Sequence, residues 1–417
     1  TIIIIIITII TIIKQQQQQP VQFENWLLTI GISSHNYSHF SQQQQQQLLE
    51  RWREQQRQQP PQQQQQQKFQ ILHPEKLLLS LFEEHPLLNP LPHPYLFYKK
   101  TYKTGSSTLQ SILQRLSINY QLRAPVTEKR EWLIDESWRT EGLGTKNPLL
   151  KVLTTEGKDG RLGPPFDIWF YHVFIGKLPL VQEIVPNATA IVTSFRDPAT
   201  RAASAIKYFS RSQPSVKKLR QSPGNSLWGR DSVIRQLLGR KTQDWHVSEE
   251  EYQHLEQDLK DGKYFVVILE RLQESLAAFS LVYNLHPFDV ISSHIKHNRH
   301  KKKEIYDPDN YLKEYLQYEY KFYDASIEWL DNLIATFPQQ VFEERLKVID
   351  EFSVAFSQVC RQGLFVPLPY PYYNVKLQCK LFRNDNPAWQ DMMKRCLQKQ
   401  LLATDECGRT GFHNITT

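Results

Sequence analysis

The octapeptide Thr101-Tyr-Lys-Thr-Gly-Ser-Ser-Thr108 constrains the fold more than any other stretch of the chain. The apolar run Tyr95-Leu-Phe-Tyr98 precedes it, and Leu109, Ile112, Leu113 and Leu116 follow on one helical face. The first pattern reads as a buried strand and the second as an amphipathic helix. The octapeptide is therefore a strand-to-helix turn built from lysine, glycine and small hydroxyl residues. Glycine lets backbone approach a ligand closely, and free N–H groups at a helix start suit a phosphate or sulfate. The plainer alternative is a βα turn in which Ser106 or Ser107 caps the helix and nothing binds.

The same alternation returns twice. Ala190-Ile-Val-Thr-Ser-Phe195 reads as a strand, and Arg196-Asp-Pro198 starts a helix through Phe209. Asp197 supplies the cap and Pro198 the first helical position. Tyr264-Phe-Val-Val-Ile-Leu269 reads as a strand followed by an apolar helix through Val282. Strands alternating with helices predict an α/β fold with a parallel sheet. Ligands of such sheets bind beyond the carboxyl ends of the strands, where Lys103 and Arg196 both fall.

The 417 residues carry 40% hydrophobic and 12% aromatic side chains, enough for a sizeable core. Lys and Arg outnumber Asp and Glu by 50 to 43, a net charge of +7. An excess of base fits an anionic partner. No RNA-binding or zinc-finger signature appears, so a small anion is expected rather than nucleic acid. All 4 cysteines, Cys360, Cys379, Cys396 and Cys407, lie near the C-terminus without zinc-pair spacing. One or two disulfides are expected there, with the pairing open. N-x-S/T sequons at Asn36, Asn187 and Asn414 add to the case for a secretory lumen.

Three regions follow from the order of the chain. Residues 1–13 are an Ile/Thr run, read as the end of a signal anchor or as translated low-complexity sequence. Residues 14–71 are glutamine-rich and read as a disordered stem, with a local island at Phe23–Leu28. Residues 72–417 hold the folded region. Within it, the glycine-bearing stretch 121–165 reads as long loops, Leu178–Val185 as a helix, and Lys296–Lys303 as a solvated basic loop. Phe166-Asp-Ile-Trp-Phe-Tyr-His172 is a strand-like aromatic run ending at a histidine.

A nucleotide P-loop needs G-x-x-x-x-G-K-[ST]. Here the lysine precedes the glycine and the first glycine is absent. A kinase or NTPase is disfavoured. Lys-x-Gly-Ser-Ser-Thr after a strand, with a second strand ending in Arg-Asp-Pro and Ser204 eight residues past Arg196, resembles sulfotransferases. Lys100–Leu109, Val185–Thr189 leading into Phe195–Pro198, Glu274-Ser-Leu276 and Tyr320–Asp324 resemble the Golgi galactose 3-O-sulfotransferases over roughly residues 92–400.

That resemblance implies a P-loop-like three-layer fold with a central parallel sheet. It implies 3′-phosphoadenosine 5′-phosphosulfate (PAPS) as sulfuryl donor, no metal, and a galactose-containing glycan or glycolipid as acceptor. It places the enzyme in the Golgi membrane, with one N-terminal span and a luminal catalytic domain. Lys103, Thr104, Gly105, Ser106, Ser107 and Thr108 correspond to the turn that cradles the 5′-phosphosulfate. Arg196 and Ser204 correspond to the holders of the 3′-phosphate. His172 corresponds to a family histidine and is the candidate general base, with Lys103 as the candidate stabiliser of the leaving group. The family carries histidine where this chain has Tyr102. Uronyl 2-O-sulfotransferases also have a histidine in the region of His172 and are the alternative, as is a catalytically silent nucleotide-binding homologue.

Overall fold

The computed structural model describes residues 73–87, 94–120, 122, 124, 166–172, 176–221, 229–240, 246–293, 305, 310–369, 372 and 375–383. Its contacts divide the chain into Thr1–His73 and Pro74–Thr417, and every described helix and strand belongs to the second unit. The Ile/Thr run, the glutamine-rich stretch, Gly142 to Gly163, Lys296–Lys303, Cys396, Cys407, Asn36 and Asn414 lie outside the described residues.

In chain order the elements are α1 (Pro74–Glu84), β1 (Leu96–Lys99), α2 (Ser106–Asn119), β2 (Ile168–Trp169), α3 (Leu178–Gln182), β3 (Ile191–Phe195) and α4 (Pro198–Ala205). A π-helical turn, Ile206–Ser210, continues α4. Then come α5 (Val216–Arg220), α6 (Ser232–Leu237), α7 (Glu249–Lys260), β4 (Tyr264–Ile268) and α8 (Leu272–Val282). The last helices are α9 (Tyr311–Tyr315), α10 (Gln317–Ala335), α11 (Gln339–Gln362) and α12 (Val375–Phe382).

The four strands form one sheet in the order β2-β1-β3-β4, and every pair is parallel. All four are buried along their whole length, as expected for strands covered on both faces. The order fixes where a ligand can sit. From β1 the chain steps outward to β2, then returns past β1 to β3. Right-handed crossovers send these two connections to opposite faces of the sheet. Their divergence opens a crevice at the carboxyl ends of β1 and β3.

Local signals set the helix ends. Asp197 caps α4, its Oδ1 accepting from Thr200 N at 2.8 Å, with Pro198 first in the helix. Ser248 and Glu251 form a reciprocal capping box at α7. Leu109, Ile112, Leu113 and Leu116 of α2 are all in the core with Phe97, Ile191 and Val266, confirming the predicted face. Among the described residues no helix is long and apolar enough to cross a membrane.

Cys360, near the end of α11, is bonded to Cys379 of α12. Tyr372, in the connection between them, donates to the buried Asp289 carboxylate at 3.0 Å, and Tyr120 at the end of α2 donates to the same group. The disulfide thus joins the two C-terminal helices to each other, and the Asp289 carboxylate links the connection between them to Tyr120 at the end of α2. The bridge closes a loop with a sequence separation of 19. Loop-closure entropy predicts that replacing both cysteines by serine lowers the unfolding free energy by about 3 kcal/mol. Denaturant titration under non-reducing conditions checks this, and an unchanged midpoint contradicts it.

Candidate functional site

Four strand ends meet at the crevice. The turn after β1 carries Lys103 and Gly105, and β3 runs into Arg196. Three residues past β2 stands His172, and β4 leads into Leu269 and Glu270.

Buried hydroxyls fix the floor. Ser194 Oγ lies 2.9 Å from Tyr98 Oη and 2.8 Å from Thr104 Oγ1. Thr104 Oγ1 lies 2.8 Å from Thr101 Oγ1, which donates to Ser194 O at 2.8 Å. Burial raises the Tyr98 phenol, so the chain of hydroxyls stays neutral. These bonds tie β1, β3 and the turn into one rigid unit. They also orient Thr104 inward, so its outward contribution is backbone N–H alone.

Above that floor the backbone of the turn is strained. Lys103 has φ 64° and Gly105 φ 83°, both left-handed. The lysine conformation costs roughly 1–2 kcal/mol. A Cβ on Gly105 would stand 2.6 Å from Leu269 Cδ1, just past β4, and the left-handed φ is what favours glycine here. Gly105 is itself the cap of α2, and no side chain closes that helix end. The serine cap that the residue types suggest is therefore replaced by glycine. The leading N–H groups of a helix lack intrahelical partners. In this turn Ser107 and Thr108 are half-buried at the rim, and Ser106 is buried with its carbonyl 3.4 Å from Tyr98 Oη.

Arg196 lies along the first turn of α4. Its Nε donates to Thr200 Oγ1 at 3.1 Å and stands 3.8 Å from Glu270 Oε1. Burial lowers its pKa from the ordinary arginine value, and Glu270 opposes that shift. Glu270 Oε2 also accepts from Asp197 N at 3.2 Å and from the Tyr323 hydroxyl at 3.3 Å. Thr200 and Ser204 are one helical turn apart on the same face. Ser204 is half-buried near the end of α4. The three side chains form a polar strip leading from the strand end along the helix. Beneath it, Arg201 Nε pairs with Glu319 Oε2 at 2.8 Å and its Nη1 donates to Ser232 Oγ at 3.0 Å. That buried pair pins α4 to α6 and α10.

His172 is 3% exposed and stacks on Tyr102, with ring centroids 4.1 Å apart. Burial, helped by the charge of Lys100, pushes its pKa down to about 3, against the pull of a backbone hydrogen bond at Lys100. The imidazole is neutral at pH 7. Tyr102 N donates to Gln236 Oε1 at 3.3 Å, which ties the turn to α6. The π turn closes the other side: Phe209 meets Tyr102 edge-on at 5.6 Å, and Lys103 Nζ lies 4.0 Å over the Tyr208 ring. π-helical segments recur at functional sites.

The structure thus gathers Lys103, Gly105, Ser107, Thr108 and His172 around one turn, with Arg196 and Ser204 on the neighbouring βα unit. The folded chain adds four further participants, Thr200, Glu270, Gln236 and Tyr208. Two of them carry a signal in the sequence: Thr200 is one turn from both Arg196 and Ser204, and Glu270 is a carboxylate at a strand end. Gln236 and Tyr208 reach the site through tertiary packing alone. Among the described residues no group of three or more His, Cys, Asp or Glu is arranged to hold a metal ion.

His172 has a consequence for stability. A histidine depressed from 6.5 to about 3 stabilises the fold fully above pH 6.5, and that contribution is lost as pH falls toward 3. The difference in unfolding free energy between the wild type and His172→Gln should therefore shrink on acidification from pH 7 to pH 4. Equal slopes for both proteins in a pH series of denaturant titrations contradict the assigned environment.

No protein-family profile and no solved structure match the chain. It is similar to a bovine (Bos taurus) protein described as galactose-3-O-sulfotransferase 4, at 25% identity over 127 residues. The match covers 30% of this chain and 24% of the relative's length. At this identity and coverage the likeness suggests the sulfotransferase family and nothing finer.

Proposed function

We propose that the chain is a PAPS-dependent carbohydrate O-sulfotransferase, with the 3-hydroxyl of a galactose residue as the acceptor position. One observation carries the proposal: two anion-ready βα turns stand side by side where the strand order reverses. A donor with anionic groups at both ends of a nucleoside fits two such turns. The Gly105 turn suits the phosphosulfate end, because its left-handed glycine opens α2 with no side-chain cap over the leading N–H groups. The partial likeness to a galactose-3-O-sulfotransferase supports the same reading.

PAPS, when bound, supplies a sulfuryl group on a phosphate leaving group. The residues of the chain do the rest. N–H groups from Thr104 to Ser107 and the rim hydroxyls of Ser107 and Thr108 bind and orient the phosphosulfate. Arg196 grips the 3′-phosphate with Thr200 and Ser204, and Glu270 holds its guanidinium in place. Lys103 leaves the Tyr208 ring to neutralise charge on the bridging oxygen. His172, neutral and hydrogen-bonded at Lys100, takes the proton of the attacking sugar hydroxyl. Its depressed basicity rises when an anion is held beside it, because nearby negative charge favours the imidazolium. Tyr102 shields it from water. The exposed Asn187 sequon and the Cys360–Cys379 bond support a luminal site of action. Golgi membrane anchorage is part of the proposal.

The burial of His172 under Tyr102 favours one competing reading, a homologue that binds the nucleotide without transfer. A sulfate-transfer assay separates the two. The full chain is incubated with labelled PAPS and galactosyl, uronyl and N-acetylhexosaminyl acceptors, beside Lys103→Ala and His172→Ala. Transfer to at least one acceptor is expected, reduced on the order of a hundredfold or more in each variant. Nucleotide binding with no transfer to any acceptor supports the silent binder. Undiminished transfer by His172→Ala removes it as base.

A further inference from the structure

Past Ser204 the surface becomes basic and stays so. The sequence from Pro198 to Arg230 contains no Asp or Glu. Lys207 lies in the π turn, Arg211 ends it, and Lys217, Lys218 and Arg220 follow on α5. Lys207, Arg211, Lys217 and Arg220 are exposed and Lys218 is half-buried. Cations elsewhere on the surface are matched with acids: Lys260 with Glu256 at 2.7 Å, Lys263 with Asp258 at 2.6 Å, Lys321 with Glu249 at 3.1 Å. Among the described residues no carboxylate pairs with Lys207, Arg211, Lys217 or Lys218.

This patch is fixed in place and adjoins the site. Leu219 of α5 shares an apolar cluster with Ala202, Ala203 and Ile206, so α5 is docked on the helix that carries Ser204. Arg220 lies 4.5 Å over the Tyr311 ring. Tyr208, flanked by Lys207 and 60% exposed, offers one face to Lys103 Nζ and is the bridge from the turn to the patch. Such clustering of like charge is self-repulsive and raises the local concentration of an anionic partner.

We infer that this face binds the acceptor, and that the acceptor is an anionic glycan bearing uronic acid, sialic acid or sulfate groups near the reacting hydroxyl. The inference rests on the carbohydrate sulfotransferase reading and adds the charge class of the substrate. The donor's own anions are met by the turn at Gly105 and the Arg196 strip, so α5 is left for the acceptor. Tyr208, exposed beside Lys103, supplies an aromatic surface on which a sugar ring of the acceptor can stack.

The test uses the full chain, neutral galactosides, and the same oligosaccharides carrying a carboxylate or sulfate. The anionic acceptors should show the lower KM, rising with ionic strength. The triple variant Arg211→Gln/Lys217→Gln/Lys218→Gln should raise that KM roughly tenfold or more, with kcat and the KM for PAPS little changed. Titration with 3′-phosphoadenosine 5′-phosphate runs alongside. Nucleotide binding and transfer with equal KM for neutral and anionic acceptors, or no response to the triple variant, overturns the anionic-acceptor inference alone. Loss of the patch's effect on glycans together with binding to phosphatidylserine vesicles, or to single-stranded DNA, assigns the face to a membrane or nucleic acid and also overturns it. Absence of nucleotide binding defeats the sulfotransferase reading instead.

Discussion

Parallel pairing of β1 with β3, locked by hydroxyl groups, is the interaction on which the rest of the site depends. Ser194 on β3 touches Tyr98 on β1 and Thr104 in the turn, and Thr101 returns a hydrogen bond to the Ser194 carbonyl. These groups are buried, so each lost bond leaves a partner that water cannot reach. The network therefore holds the turn in a conformation that Lys103 alone would not adopt. It also sets Arg196, one residue past β3, at a fixed place beside that turn. The strand order then keeps the crevice above them open.

Much of this was legible in the residues because it was local. A strand, a glycine-bearing turn and an apolar helical face are written in consecutive positions around Gly105. Asp197 and Pro198 announce α4 in the same way, and the structure places the cap where the residue types demand it. What escaped depends on distance along the chain. Gln236 meets Tyr102 N, and Arg201 meets Glu319, only after the elements have packed. The helix cap shows the limit of residue types. Ser106 and Ser107 suit a cap by preference, yet the left-handed turn gives that position to Gly105 and frees the serines. Of the cysteines, the Cys360–Cys379 bond needed the approach of two helices before a pairing could be chosen.

The aromatic wall around the turn links the proposed chemistry with its substrate. His172 and Tyr102 are sealed together by stacking, while Tyr208 is open to solvent and holds the lysine ammonium by its ring face. A neutral imidazole in a dry site and a cation on an aromatic face are both poised for negative charge to arrive. The basic surface leading from Tyr208 to α5 extends the same electrostatic logic outward. Donor and acceptor would then be drawn to the carboxyl end of the sheet by fields of the same sign.

Two separate anion sites serving one nucleotide are the core of the proposed mechanism. Calorimetric titration of the full chain with 3′-phosphoadenosine 5′-phosphate and with adenosine 5′-phosphate tests this most directly. A charge-assisted grip by Arg196 predicts that the 3′-phosphorylated nucleotide binds roughly ten- to a hundredfold more tightly. Arg196→Ala should abolish that difference while leaving the binding of adenosine 5′-phosphate unchanged. Equal affinity for the two nucleotides in the wild type, or a difference that survives Arg196→Ala, would contradict it.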